Sequence, residues 1–199
     1  MKLTDIETKF EVKFPKKWHE IYETGAMEWM ETENSEFIKN VHKYTDDPKA
    51  FFMLDCDCEP LSLWDIEERA GELKEWISWR CEDEGESFDE SVKLVPFAMT
   101  GAGDLYCFMY KPDADEPEVI LYLHDEYDDP DIIGRDFDEF LYVMMLNAVS
   151  WDEDIDGEHW QAHLEYLSDE YRSKLEGKSS EELSEEYDEM VFVKTELFN

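Results

Sequence analysis

The run VKLVPFAMTGAGDLYCFMYKP, residues 92–112, decides the fold. Its halves, Val92 to Ala98 and Asp104 to Lys111, are rich in Val, Phe, Tyr and Leu, side chains that suit a pleated surface. Between them stands Thr100-Gly101-Ala102-Gly103, whose two glycines reach positive φ without a Cβ penalty. The run therefore predicts a β-hairpin. After the turn-rich Pro112 to Pro117, Val119 to His124 predicts a third strand. An acidic loop follows, then RDFDEFLYVMMLNAV, residues 135–149. In it Asp136-Phe137-Asp138-Glu139 makes a capping box, and Phe137, Phe140, Leu141, Met144 and Ala148 make the apolar stripe of a closing helix. Three successive strands and that helix imply an antiparallel meander with one face against helices.

Upstream, Thr4-Asp5-Ile6-Glu7 has the pattern of a capping box opening a short helix with Ile6 and Phe10 on one face. Pro15 suits a helix first turn, where its missing N–H has no intrahelical partner. The helix it opens carries Trp18, Ile21 and Tyr22 at core-facing spacing and stops at Gly25. Asp46-Asp47-Pro48 marks a turn, and Phe51 to Leu54 predicts a short strand. Ser62 faces Asp65 at the start of a helix to Arg69, and Leu73, Trp76, Ile77 and Arg80 continue its face beyond Gly71.

Downstream, Trp151 to Glu158 is an acidic linker. Trp160, Leu164, Leu167, Tyr171 and Leu175 then recur as one stripe of a helix, which needs either the domain or a partner to bury it. Ser179 with Glu182 opens another short helix, and VFVKTEL ends with strand-like composition. The expected architecture is α+β: a mainly antiparallel sheet flanked by helices over residues 1–150, with an acidic, mostly helical C-terminal extension, 151–199, packed on that domain.

Charge narrows the function. The chain has 54 acidic against 18 basic residues, a formal charge of −36. Residues 1–50 hold 8 Lys and 11 acids, so nearly all the excess lies beyond them. A hydrophobic content of 42% supplies a core, so the charge does not imply disorder. Such a field repels nucleic acid and anionic lipid and attracts basic proteins. No apolar run reaches the 18 or so residues of a membrane span, and no h-region follows Met1. Cys56, Cys58, Cys81 and Cys107 form no disulfide framework, so the chain reads as reduced and cytoplasmic; its oligomeric state is open, with a monomer assumed.

Motifs for chemistry are sparse. There is no Gly-x-Ser-x-Gly, no phosphate-cradling loop and no dinucleotide fingerprint, because Gly101-Ala102-Gly103 lies between strands. His159 and His163 share a helical face but lack a third ligand, and Cys56-x-Cys58 is too tight for structural zinc. The suggestive cluster is His124-Asp125-Glu126 with Asp128, Asp129 and Asp131. Three readings stay open for it: a solvated loop, a protein-binding patch, or a divalent-cation or catalytic site. No cofactor is expected. The candidate partner-binding residues are Asp104, Asp125, Glu126, Asp128, Asp129, Asp131, Asp152, Glu153 and Asp154.

Several stretches together resemble one family. VPFA, GAGDLYCF, VILYLHDE and FDEFL occur in the order of the SUKH superfamily, the cell-wall-assembly-regulator-like proteins, and FPKKWHEIYETGA stands where that family opens its first helix. The likeness runs from about Ile6 to Val149; the turn Gly101-Ala102-Gly103-Asp104 and the segment Thr24-Gly25-Ala26 depart from its usual glycine patterns. The resemblance implies a non-enzymatic binding protein. Many bacterial members are immunity proteins that bind and block toxin domains, often nucleases, and fungal members act in the control of cell-wall synthesis. A nuclease that grips phosphate presents Lys and Arg, so its inhibitor presents Asp and Glu; a metal-dependent enzyme at the His124 region is the remaining alternative.

Overall fold

The computed structural model describes residues 1–32, 36, 39, 43, 44, 46–51, 54, 56–125 and 128–199. Its frame is a six-stranded antiparallel sheet whose strands lie in chain order. They are β1 (Glu59–Pro60), β2 (Lys93–Met99), β3 (Leu105–Tyr110), β4 (Glu118–Tyr122), β5 (Asp131–Gly134) and β6 (Val193–Lys194). The hairpin forms as the sequence implies, with Met99 opposite Leu105 and Gly103 at φ +102°. Pro96 pairs with Cys107 beside a register shift between Pro96 and Ala98, the kind of irregularity at which a strand accepts a residue without an N–H.

Among the described residues the α-helices are α1 (Leu3–Phe10), α2 (Lys16–Glu23), α3 (Leu63–Glu84), α4 (Phe137–Ser150), α5 (Glu158–Leu164), α6 (Asp169–Leu175) and α7 (Ser180–Asp188), with a 3-10 turn at Glu28–Glu31. Ser62 caps α3 by accepting from the Asp65 N–H, and Asp136 caps α4 by accepting from Glu139 at 2.8 Å. Among the described residues no helix is long and apolar enough to cross a membrane.

Both faces of the sheet are covered, not one. Because side chains alternate along a strand, Tyr106 and Phe108 point to one core while Leu105, Cys107 and Met109 point to the other. The first core gathers α1, α2, α4 and the sheet around Trp18, whose ring lies within 5.7 Å of the rings of Phe14, Phe51, Phe97, Phe108 and Phe137. The second core is built from Leu73 and Ile77 of α3, Ile120, Tyr122 and the C-terminal Leu197 and Phe198. Thus α3 starts in the first core with Leu63 and Ile66 and ends over the second.

Four expectations need correction. The first strand stands at Glu59–Pro60; Phe51 and Leu54 lie in a turn and a bend, and Phe52 and Met53 fall outside the described residues. Asp131–Gly134 is a strand within what reads as an acidic loop. The Thr4–Glu7 box does not form: α1 is capped two residues earlier, with Lys2 N–H on Asp5 at 2.8 Å, and Glu7 is buried instead. The long stripe from Trp160 to Leu175 is two helices, broken at Ser168, whose N–H donates to Asp138 at 3.0 Å. Arg172 spans that break, donating to the carbonyls of Leu164 and Leu167.

The segment after residue 150 is built into the same frame. Trp160, Leu167, Leu175 and Leu183 join the first core, and Val193 pairs with Ile132. Ser179 and Glu182 form the capping box of α7.

Candidate functional site

The turn before β3 and the loop after β4 meet at one end of the sheet. Within the turn, Thr100 and Asp104 bond each other through backbone and side chain, and Asp57 accepts the Gly101 N–H at 2.7 Å. These bonds aim the Asp104 carboxylate across to β4. There its Oδ1 accepts from the His124 backbone N–H at 3.1 Å and from Nδ1 at 2.8 Å. A carboxylate only accepts, so the imidazole proton sits on Nδ1. The ring of His124 also rests 5.7 Å from Trp76 of α3. Among the described residues, Asp104, His124 and Asp125 are the grouping whose ligand atoms lie within 4.8 Å of one another. Two carboxylates and an imidazole suit a divalent cation chemically, but Asp104 Oδ1 already serves two donors that lock β3 to β4.

The acids further along the loop are largely engaged within the molecule. Arg80 of α3, buried, donates to Glu86 at 2.9 Å, to the Asp128 carbonyl at 2.9 Å and to Asp129 at 3.4 Å. Lys194 approaches Asp128 at 3.4 Å and Asp131 at 3.8 Å. Asp125 and Asp128 stay exposed, while Asp129 and Asp131 are half-buried. Glu126 lies outside the described residues. Asp152, Glu153 and Asp154 turn the chain out of α4, with Asp152 at φ +78° and Asp154 accepting from Gly157 at 2.8 Å. That exit lies at the same end of the sheet as Asp104, because Asp57 bonds both Gly101 and Asn147 of α4. It belongs to the α4 side, however, whereas the loop belongs to the α3 side.

The two histidines of α5 do not combine as ligands. His163 is buried, and its Nδ1 donates to the His159 carbonyl at 2.7 Å, a bond inside the helix. Burial pushes its pKa down to about 4, so it is neutral. The four cysteines are free thiols; Cys58 and Cys107 are buried, which pushes both up and keeps them protonated.

One surface escaped the sequence reading. Opposite the core side of α3 runs the stripe Trp64, Glu68, Gly71, Glu75, Trp79 and Glu82, spaced i, i+4, i+7, i+11, i+15 and i+18. Trp64 is 40% and Trp79 54% exposed, among the most exposed large apolar side chains of the molecule. Its signal was the same periodicity, followed on the polar side of the helix instead of the apolar one.

Residues 1–141 match the family model SUKH_6, described as SMI1-KNR4 cell-wall. No curated protein and no solved structure matches the chain.

Proposed function

The chain belongs to the SMI1-KNR4 cell-wall family, and from that premise we propose that it is a non-enzymatic binding protein of the immunity type. Its partner is a basic protein, a toxin domain of the nuclease kind, met in the cytoplasm and blocked by direct contact. The observation that carries this reading is the imbalance of 54 acids against 18 bases on a chain with a packed core. Complementary fields raise association rates to about 10⁸–10⁹ M⁻¹s⁻¹ at low salt, and fast capture is what protects a cell from its own toxin. Exposed ion pairs contribute only about 0–1 kcal/mol each, so affinity must come from buried aromatic or aliphatic anchors set among the charges.

The family description supports a second reading, a regulator acting on the cell-wall machinery. The two separate in one experiment. The chain is co-expressed with a basic nuclease toxin domain, taken from the neighbouring genes where one stands there, and growth is measured together with association rate against salt. Rescue of growth with a rate that falls steeply as salt rises supports the immunity reading. No rescue and no binding rejects it and leaves the regulatory reading. For the weaker possibility of metal chemistry, atomic absorption of chelator-free protein, wild type and Asp104→Asn, is the check: equal, negligible metal in both rejects it.

A further inference from the structure

We propose that the outward face of α3 is the docking surface for a lysine- and arginine-rich segment of the partner. This deepens the reading of a basic protein partner and rests on it. The face has a composition that solubility alone does not explain. Across its stripe stand two tryptophans, three glutamates and a glycine, and no base. The bases of α3 are elsewhere: Arg69 is tied to Glu72 at 2.6 Å, Arg80 is buried, and Lys74 lies toward the flank at Phe10 and Val92. Among the described residues Glu68, Glu75 and Glu82 make no ion pair, in contrast with Asp129 and Asp131 of the loop. Their charge is therefore open to an outside cation.

The tryptophans say how such a cation is held. A Trp ring is the best cation–π acceptor, and guanidinium stacks on it while its N–H groups reach adjacent carboxylates. Trp64 and Trp79 are 15 residues apart, about 22 Å along the axis, with the glutamates between them. Gly71 lies at the middle, where nothing stands within 4 Å of a Cβ built on it. A partner backbone can approach closely there. The occupant that fits is a basic segment some 20 Å long, with cations over each ring and between them. A second copy of this chain is disfavoured because it would bring glutamates to glutamates. An anionic membrane or nucleic acid is disfavoured for the same reason.

The probe is fluorescein-labelled octa-arginine, titrated by anisotropy into the full chain at fixed physiological salt. Two variants test the face: Trp64→Leu with Trp79→Leu, which leaves the charge unchanged, and Glu68→Gln with Glu75→Gln and Glu82→Gln. A control, Glu165→Gln with Glu176→Gln and Glu185→Gln, removes the same charge from exposed sites on and after α5 to α7. The expected result is binding weakened about tenfold or more in both α3 variants and less than about twofold in the control. Circular dichroism confirms folding; the substituted side chains are exposed, and either α3 variant suffices if the other fails. If wild type binds and the α3 variants match the control, the docking surface lies elsewhere and this proposal falls while the basic partner survives. If neither wild type nor control binds, the reading of a basic partner falls, and this proposal with it. Self-association in sedimentation that Trp64→Leu with Trp79→Leu abolishes would make the occupant a second copy and overturn it.

Discussion

Arg80 holds its guanidinium carbon 3.7 Å over the ring of Phe198. The same head group donates to Glu86, Asp128 and Asp129, so one buried cation joins α3, the loop before β5 and the C-terminal tail. Replacing it by Met keeps the stem and strands the carboxylates. We expect Arg80→Met to lower stability by about 2–3 kcal/mol, read as a shift of the urea midpoint. Arg80→Lys should recover less than half of that, since a point charge cannot reproduce a planar fork. An unchanged midpoint in Arg80→Met would remove the clamp from this account.

Glu7 is the carboxylate that ties α1 to α2. Only 2% exposed, it accepts from the Phe14 N–H at 2.9 Å, from Lys13 at 3.0 Å and from His19 at 2.8 Å. Burial works against its ionisation, but these donors outweigh burial and hold its pKa below the ordinary 4.5. A depressed acid stabilises the fold above its unfolded pKa and loses that contribution as pH falls through the folded value. Glu7→Gln should therefore cost about 1–3 kcal/mol at neutral pH and show a shallower loss of stability below pH 4.5, followed by thermal melts from pH 7 to 2.5.

His163 acts in a different pH window. Its pKa falls from 6.5 to about 4 because burial disfavours the imidazolium. Between those values the unfolded chain binds more protons than the folded one, so stability drops as pH falls from 6.5 to 4. The full effect is on the order of 3 kcal/mol. In His163→Gln the slope across that window should flatten while the Glu7 limb below it remains. A slope identical to wild type would show that His163 is not its source.

Gly134 ends β5 where the chain doubles back into α4. A Cβ added there would stand 2.6 Å from the Phe140 nitrogen and 2.8 Å from the Asp136 carbonyl oxygen, both backbone atoms. Neither can swing aside as a side chain could. Gly134→Ala should destabilise by about 1–3 kcal/mol, whereas Gly71→Ala, on the open face of α3, should be neutral or stabilise by up to about 1 kcal/mol. Melting the two variants side by side separates the cases.

What was legible in the residues follows physical range. The hairpin, the Val119 strand and the capped α4 rest on local signals: paired glycines, alternating branched and aromatic side chains, and Asp136 three residues before Glu139. Asp131-Ile132-Ile133-Gly134 was hidden because its identity as a strand comes from pairing with β4 and β6, not from its own short composition. The break at Ser168 was invisible for the same reason, since Asp138, 30 residues away, takes its N–H. Apolar periodicity runs on through such a break. Of the candidate acids, sequence could mark which carry charge but not which are spent: Arg80 and Lys194 reach Asp129 and Asp131 only in three dimensions. The α3 face carries the same helical period as the buried stripe, but its mixture of Trp, Glu and Gly gives no apolar run to mark it.

The two sides of α3 answer to different demands. Leu63, Ile66, Leu73 and Arg80 are fixed by what lies beneath them, while Glu68, Glu75 and Trp79 stand exposed and Trp64 is tied to its own chain through its N–H on the Glu31 carbonyl. Changes at sites without shared partners add independently. Outer residues can thus be exchanged one at a time without taxing the scaffold, so the charge and aromatic content of that face can change while the architecture beneath stands still.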